Sequence, residues 1–395
     1  MIEGSLAAAT PLGRVALIAE ERSGPQTGIG RYVQMLDAGL GNAGVDVVRA
    51  GPTIPQLPDF SYRIFRLFGR DLDAFLMNYH QIWSRYPEAD VYHLASQTLA
   101  AGLLIRRPSS RVVVTVHDIF PYMLRRDPEL RSPYRTDQLF HWLAMVGLRR
   151  ADHVLAVSDY TKRCLVEILR LPPENITVVY HGIDHDRFRP LSTIAVIHER
   201  YRLPPGRHYL IYVGSEDPRK NLMTLVRALA KVRNDLPNVE LIKVGRSHYE
   251  RERQRLIALA IELGVRNAIH FLDDVPENDL PLLYNLADLY VTPSLYEGFG
   301  FPVVEAMACG TPVVCAKAAS LPEIVGNAGV QILPCDVPTL AGTLVALLRD
   351  RERRLALRRS GQKQAAGFTW SETIRRTTAA YAAVTIDPAC RASSA

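Results

Sequence analysis

The sequence is short of several features that would assign it to a class at once. Cysteine is scarce: five residues (Cys164, Cys309, Cys315, Cys335 and Cys390), an odd number with no C-x-x-C pair. That excludes a disulfide framework and a cysteine-built zinc site, and it fits a reducing compartment. No apolar run approaches the roughly 18 residues needed to span a bilayer. The N-terminus carries no basic stretch followed by an apolar one, so no secretory signal is expected. Charge of one sign is also modest. A net +6 over 395 residues is too small an excess for a nucleic-acid-binding protein. A cytoplasmic protein without a nucleic-acid partner is expected.

What is present is an ordinary globular balance, 48% hydrophobic and 22% charged residues, and enough chain for two or three domains. Short β-branched runs alternate with longer amphipathic segments. In the first half the predicted strands are Arg14–Ala19, Asp46–Arg49, Val91–His93, Val112–Val116, His153–Val157 and Ile176–Val179. A loop over Ser23–Gly30 and a helix over Arg31–Ala43 follow the first of them. The rhythm breaks across Pro190–His208, where Leu203-Pro204-Pro205-Gly206 is rich in turn residues. It restarts with strands at Tyr209–Val213, Glu240–Val244, Ala268–Phe271, Leu289–Thr292, Thr311–Ala316 and Gln331–Leu333. Such βαβ alternation predicts parallel sheets covered by helices on both faces. The expected fold is α/β, with two Rossmann-like doubly wound domains facing a cleft: residues 1–190, residues 191–370, and a last helix, 371–388, crossing back to the first. In doubly wound sheets ligands bind at the carboxyl ends of the strands.

Four segments fall at such strand ends. The first runs from Ser294 to Val314. Its loop carries Glu297, and its helix begins near Pro302, a position where proline is tolerated. Glu305 lies about one turn further in. The two carboxylates flank the stretch Gly298-Phe299-Gly300-Phe301-Pro302 at a helix N-terminus, whose N–H groups and dipole suit a phosphate. Carboxylates accept hydrogen bonds from sugar hydroxyls. The second segment is Gly214-Ser215-Glu216-Asp217-Pro218-Arg219-Lys220-Asn221, where adjacent Arg219 and Lys220 can neutralise a diphosphate. In the third, Gly28 and Gly30 give G-x-G. The third glycine of a dinucleotide fingerprint is replaced by Val33, and Arg49 and Ala50 stand where an acidic ribose ligand should end the next strand. The fourth is Val116-His117-Asp118, a histidine at a strand end.

Together these segments resemble the retaining GT-B glycosyltransferases of family 4, over nearly the whole chain from about Arg14 to about Val384. Glu297 and Glu305 match that family's paired glutamates with seven residues between. The resemblance implies that Glu297 contacts the transferred sugar and Glu305 the nucleotide ribose. It gives Lys220 the diphosphate, with Arg219 standing in for an arginine the family places where this chain has Ser215. It sets Gly28 and Gly30 near donor phosphates or acceptor, and His117 near the transferred sugar. The implied division of labour is an acceptor-binding first domain and a nucleotide-sugar-binding second domain. Within the family the wording looks most like bacterial enzymes of surface-polysaccharide and O-antigen assembly, many of them mannosyltransferases using GDP-mannose. The implied partners are a nucleotide-sugar donor and a glycan or lipid-linked acceptor, with no cofactor and no metal. Asp184-His185-Asp186 has the D-x-D form but lies away from the expected diphosphate site, and is expected to be structural.

Two rival readings remain at this point: an NAD-dependent two-domain oxidoreductase, and a non-catalytic binding partner built on the same fold. A membrane reading also stays open. Between Ala101 and Arg150 there are nine Arg against four acidic residues, and Phe60–Arg70 mixes aromatics with Arg63, Arg66 and Arg70. Either these are solvated and sheet-packed helix faces, or they form a surface for peripheral association with the inner face of an anionic membrane.

Overall fold

The computed structural model describes residues 13–19, 27–51, 58–61, 63, 86–124, 135–192, 195–247 and 250–385. Gly24–Gln26, most of the Phe60–Arg70 segment, residues 125–134 and the tail from Cys390 to Ala395 lie outside them. The chain divides into two compact units. One holds the described residues up to Tyr180 together with Trp370–Thr385, the other those of His181–Thr369.

The first unit is built on a six-stranded sheet: β1 (Val15–Ile18), β2 (Val47–Ala50), β3 (Val91–Leu94), β4 (Arg111–Val116), β5 (His153–Ala156) and β6 (Ile176–Val178). The order is β2-β1-β3-β4-β5-β6, and every pairing is parallel. All four residues of β1 are buried, as a strand covered on both faces must be. On one face pack Phe140, Ala144 and Leu165 from helices. On the other pack Tyr32, Leu36 and Leu40 of the helix Gly28–Asn42 with Ile374, Tyr381 and Val384 of the helix Trp370–Thr385. Gly39 permits that contact: a Cβ there would lie 2.5 Å from Ile374 Cγ1.

A buried polar chain ties the last helix to this sheet. The Tyr381 hydroxyl meets His93 Nδ1 at 2.5 Å, His93 Nε2 meets Thr115 Oγ1 at 2.7 Å, and Thr115 Oγ1 meets the Tyr32 hydroxyl at 2.8 Å. Each member has a partner, which is the condition for burying polar groups without a large penalty.

The second unit repeats the plan with β7 (His208–Val213), β8 (Val239–Val244), β9 (Ile269–Leu272), β10 (Leu289–Thr292), β11 (Val313–Ala316) and β12 (Val330–Ile332). The order β12-β11-β10-β7-β8-β9 is again parallel throughout. The chain moves outward from β7 through β8 to β9, then returns to β7's other side and moves outward through β10 to β12. The order therefore reverses between β7 and β10, the switch point where an open α/β sheet leaves a crevice beyond its strand ends.

Two differences from the sequence expectation have clear causes. Gly28 and Gly30 do not lie in a loop; they form the first turn of the helix Gly28–Asn42. Thr27, in extended conformation, caps it by accepting the Gly30 N–H at 3.0 Å on its hydroxyl and the Arg31 N–H at 2.9 Å on its carbonyl, the usual N-cap arrangement. Residues 181–190, assigned above to the first domain, pack with the second unit. Ile183 donates its N–H to the Phe368 carbonyl at 3.1 Å and bridges to Thr369.

Candidate active site

The loops that follow β7 and β10 carry the acidic and basic side chains singled out in the sequence. Beyond β7 the chain turns at Gly214, whose φ of +149° and close approach to the Tyr212 hydroxyl, 2.6 Å from where a Cβ would sit, demand glycine. Asp217 then accepts the Arg219 N–H at 3.0 Å and starts a single 3-10 turn, Pro218–Lys220, which Asn221 ends in the left-handed region. Arg219 and Lys220 thus project from a tight, capped turn.

The loop beyond β10 is laced to this turn. The Leu295 N–H donates to the Arg219 carbonyl at 2.7 Å, and Asn221 Nδ2 to the Pro293 carbonyl at 3.2 Å. From its far side the Ser320 hydroxyl donates to the carbonyls of Glu297, at 3.0 Å, and Phe299, at 3.2 Å. Gly300, at φ +97°, caps the helix Phe301–Cys309, and Pro302 falls in its first turn. As the N-cap residue, Gly300 supplies no side-chain cap.

Between the two loops Lys220 Nζ donates to Glu297 Oε1 at 2.6 Å. Arg219 Nη1 lies 3.6 Å from Glu297 Oε2, donates to the Tyr296 carbonyl at 3.0 Å, and its Nε pairs with Asp217 at 3.1 Å. Burial works against the charged form of Glu297, but the Lys220 and Arg219 charges outweigh it and hold the carboxyl below its ordinary pKa. Burial also pulls the Lys220 ammonium below its ordinary value, with Glu297 opposing and Arg219 assisting. Two cations, Lys220 and Arg219, and two carboxylates, Glu297 and Asp217, therefore share a small, largely desolvated space, where electrostatic interactions are strong. The charges balance among themselves, so an anionic ligand would take over cation contacts that the carboxylates now hold.

Glu305 is 2% exposed, on the face of the helix turned inward. Its Oε2 accepts the Tyr284 hydroxyl at 3.0 Å, and Thr311 Oγ1 donates to the Tyr284 carbonyl at 2.6 Å. Burial, and then the Glu305 carboxylate, push the Tyr284 phenol well above its ordinary pKa, so it remains a donor. The rings of Phe299 and Phe301 stand in a cluster of their own. Phe301 stacks on His181 at 4.9 Å, and Phe299 meets Phe301 at 5.3 Å and Phe368 at 5.6 Å, edge on. Both side chains are thereby committed to packing. Asp184 Oδ1 accepts the N–H groups of Asp186 and Arg187, both at 3.1 Å, closing a turn. Among the described residues no cluster of three or more His, Cys, Asp or Glu could hold a metal ion.

In the first unit His117 follows β4. Gln97 Oε1 accepts its backbone N–H at 3.0 Å, and its ring Nε2 donates to the Ala95 carbonyl at 2.8 Å. Burial lowers its pKa to about 4, with the Ala95 bond opposing. The ring is therefore neutral at pH 7, with its proton on Nε2. The Tyr32 ring lies edge on to it at 5.1 Å, so the helix that begins with Gly28 and Gly30 and the strand end bearing His117 come together.

Residues 194–364 match the family described as Glycosyl transferases group 1, and residues 26–187 match Glycosyltransferase Family 4. The O-antigen chain mannosyltransferase B of Escherichia coli is 32% identical over 276 residues, which cover 69% of this chain and 70% of that protein. The chain belongs to the family 4 glycosyltransferases. The MMP α-(1→4)-mannosyltransferase of Mycolicibacterium hassiacum is 31% identical over 75% of this chain and 71% of its own. Among solved structures, sucrose-phosphate synthase from Thermosynechococcus elongatus aligns over 93% of this chain and 98% of its own, with a TM-score of 0.72 and 21% identity. WaaG, a glycosyltransferase of lipopolysaccharide biosynthesis, aligns over 94% and 100%, with a TM-score of 0.69 and 17% identity. The architecture is that of the GT-B glycosyltransferases. Family membership decides against the oxidoreductase reading, which the incomplete glycine fingerprint had already weakened.

Of the residues that hold the site, the sequence shows Asp217 as a cap but gives no sign of Ser320 or Tyr284. Asp217 and Ser320 shape the two loops, and Tyr284 anchors Glu305 from 21 residues away. Asp217, beside a proline at the start of a turn, was legible as a cap. Tyr284 and Ser320 carry no local signal; only the fold brings them in.

Proposed function

We propose that this glycosyltransferase moves a sugar from a nucleotide-sugar donor, GDP-mannose in the first instance, to a glycan or lipid-linked acceptor hydroxyl in surface-polysaccharide assembly, with retention at the anomeric carbon. The observation that carries the donor part is the meeting of Lys220, Arg219 and Glu297 at the β7/β10 switch point beside the N-terminus of Phe301–Cys309. That is a place for a diphosphate and the sugar it bears. The similarity to mannosyltransferases of O-antigen chains supports the mannosyl choice and the polysaccharide context. The second unit is the nucleotide-sugar domain in this reading, and the first the acceptor domain.

The chemistry follows from charge. As the bond between the anomeric carbon and the diphosphate oxygen breaks, negative charge grows on the leaving group. Lys220, Arg219 and the helix N-terminus stabilise it in place, the preorganised electrostatic mode of catalysis. The leaving phosphate oxygen takes the proton of the attacking acceptor hydroxyl, whose oxygen bonds to the anomeric carbon on the same face. Glu297 orients the sugar hydroxyls and balances the cations. Glu305 receives ribose hydroxyls, and neutral His117 stands near the transferred sugar in this reading. Proton NMR of the first-formed product tests the stereochemistry: retention gives the donor's own anomeric configuration, and an inverted anomer rejects the mechanism.

Among the described residues no helix is long and apolar enough to cross a membrane. A lipid-linked acceptor would instead be met at a membrane surface. Leu139 and Trp142, 52% and 45% exposed, lie on the helix Arg135–Gly147, which runs on into a 3-10 turn bearing the exposed Arg149 and Arg150, a sequence of apolar and cationic groups suited to an anionic interface.

A further inference from the structure

The turn that carries Arg219 and Lys220 is fastened on two sides. From β10 come the backbone and Asn221 bonds already described. From β8, the helix Glu250–Glu262 and the end of β9 comes a cluster of charges, buried except for Asp273. Glu216, 4% exposed, points inward. Its Oε1 lies 2.5 Å from Lys243 Nζ and 2.5 Å from Arg253 Nη2, and accepts from Arg253 Nε at 2.6 Å. Arg253 continues to Asp273 at 2.5 Å, and its guanidinium stacks over the Phe271 ring at 4.6 Å. Lys243, fully buried in the middle of the sheet, also donates to the Gly245 carbonyl at 2.5 Å. Gly245 in turn sits where a Cβ would come within 3.0 Å of the Gly214 carbonyl. The loops beyond β7, β8 and β9 are thereby drawn to one point.

Three charges in a protein interior, with the exposed Asp273 at their outer end, are a poor way to gain stability. Their desolvation cost is large, and well-packed apolar residues often do as well or better. Here the charges do something apolar side chains cannot: they fix the direction of a loop. Glu216 stands three residues before Arg219 and four before Lys220, and the intervening Asp217 and Pro218 leave that turn little freedom. We propose that Glu216, held by Lys243 and Arg253, is a positioning residue that sets Lys220 and Arg219 in register for a diphosphate. This rests on the donor site proposed above and adds a residue to it. The cluster is itself neutral, with Glu216 and Asp273 against Lys243 and Arg253, so its effect on the diphosphate is exerted through geometry and not through net charge.

The test is calorimetric titration of the full chain with GDP and, separately, UDP, on the wild type and four variants, with melting temperatures measured in parallel. The variants are Glu216→Gln, the double variant Glu216→Gln/Lys243→Met, Lys220→Ala, and the triple variant combining all three changes. Glu216→Gln strands buried cations and is expected to lower the melting temperature. The double variant removes one charge of each sign and is expected to fold as the wild type does. Positioning predicts that both bind the preferred diphosphate about tenfold more weakly than wild type, since a displaced ammonium loses its aimed contact. It also predicts that the triple variant binds no more weakly than Lys220→Ala alone. A double variant that melts with the wild type and binds with wild-type affinity overturns the proposal, as does a triple variant whose losses simply add. Loss of binding in Lys220→Ala with none in either Glu216 variant rejects the positioning role and leaves the donor site standing. A wild type that binds neither diphosphate removes both.

Discussion

Lys220 and Glu297 are 77 residues apart in the chain and 2.6 Å apart in the fold. The pairing has a consequence for binding. While no diphosphate is present, Glu297 satisfies Lys220, so an incoming phosphate competes with a carboxylate already in place. Glu297→Gln removes that competitor. GDP or UDP is expected to bind this variant at least as tightly as wild type, while donor turnover falls by about a hundredfold for want of the group that orients the sugar. Weaker diphosphate binding in Glu297→Gln would show that the carboxylate is not competing for Lys220.

Glu305 depends on Tyr284. In Tyr284→Phe the buried carboxylate loses the Tyr284 hydroxyl bond to Oε2, and a hydrogen bond to a charged group contributes about 1.5–3 kcal/mol. Urea unfolding of the variant is expected to show a loss of that size with an unchanged m-value. A midpoint equal to wild type would mean that Glu305 finds another donor.

Gly300 sits at φ +97° with the position of a Cβ 3.2 Å from Leu321 Cδ2. Gly300→Ala is expected to cost about 1–2 kcal/mol of stability and to move the N-terminus of Phe301–Cys309. The same variant should lose affinity for nucleoside diphosphates. Unaltered affinity would separate that helix terminus from the phosphate site.

Two histidines, the buried His93 and the half-buried His117, give the fold an acid limit. Burial, aided for His93 by the neighbouring His117, lowers His93 to about 3, and burial lowers His117 to about 4, both below the ordinary 6.5. The folded state therefore resists protonation that the unfolded chain accepts. Their contribution is complete above about pH 6.5 and is lost as the pH falls through the interval down to about 4 for His117 and 3 for His93, at up to about 1.4 kcal/mol per pH unit for each. Melting temperature against pH from 7 to 4.5 should fall less steeply for His117→Asn than for wild type. Equal slopes would mean that His117 is not held neutral by burial.

If the acceptor is lipid-linked, wild-type protein should float with vesicles containing phosphatidylglycerol and remain behind with phosphatidylcholine alone. Leu139→Ser/Trp142→Ser should float less. Wild-type protein that stays unbound to both would remove the membrane surface from the proposal.

Much of the fold was legible because its strands are buried on both faces. β1, β4 and β11 read as continuous apolar runs, and the loops after β7 and β10 announced themselves by charge and glycine. What escaped was set by contacts distant in sequence. Gly28 and Gly30 looked like a loop because glycine favours loops, yet a single Thr27 cap suffices to start the helix at Gly28. The helix Arg351–Ala365 is so dense in arginine that no apolar stripe betrays it. Nothing local in the sequence places the charges of Lys243 and Arg253 inside, and only Glu216, in the loop beyond β7, accounts for their burial. The two glutamates were visible by spacing alone, whereas the tyrosine that holds one of them was not.

The most direct test of the proposed activity is slow donor hydrolysis by the purified protein, read as nucleotide release, across GDP-mannose, UDP-glucose and UDP-N-acetylglucosamine, with Lys220→Ala and Glu305→Ala alongside. Release of GDP from GDP-mannose by the wild type, abolished in both variants, is the predicted result. Release that persists undiminished in both variants would contradict the placement of the donor at the β7/β10 switch point.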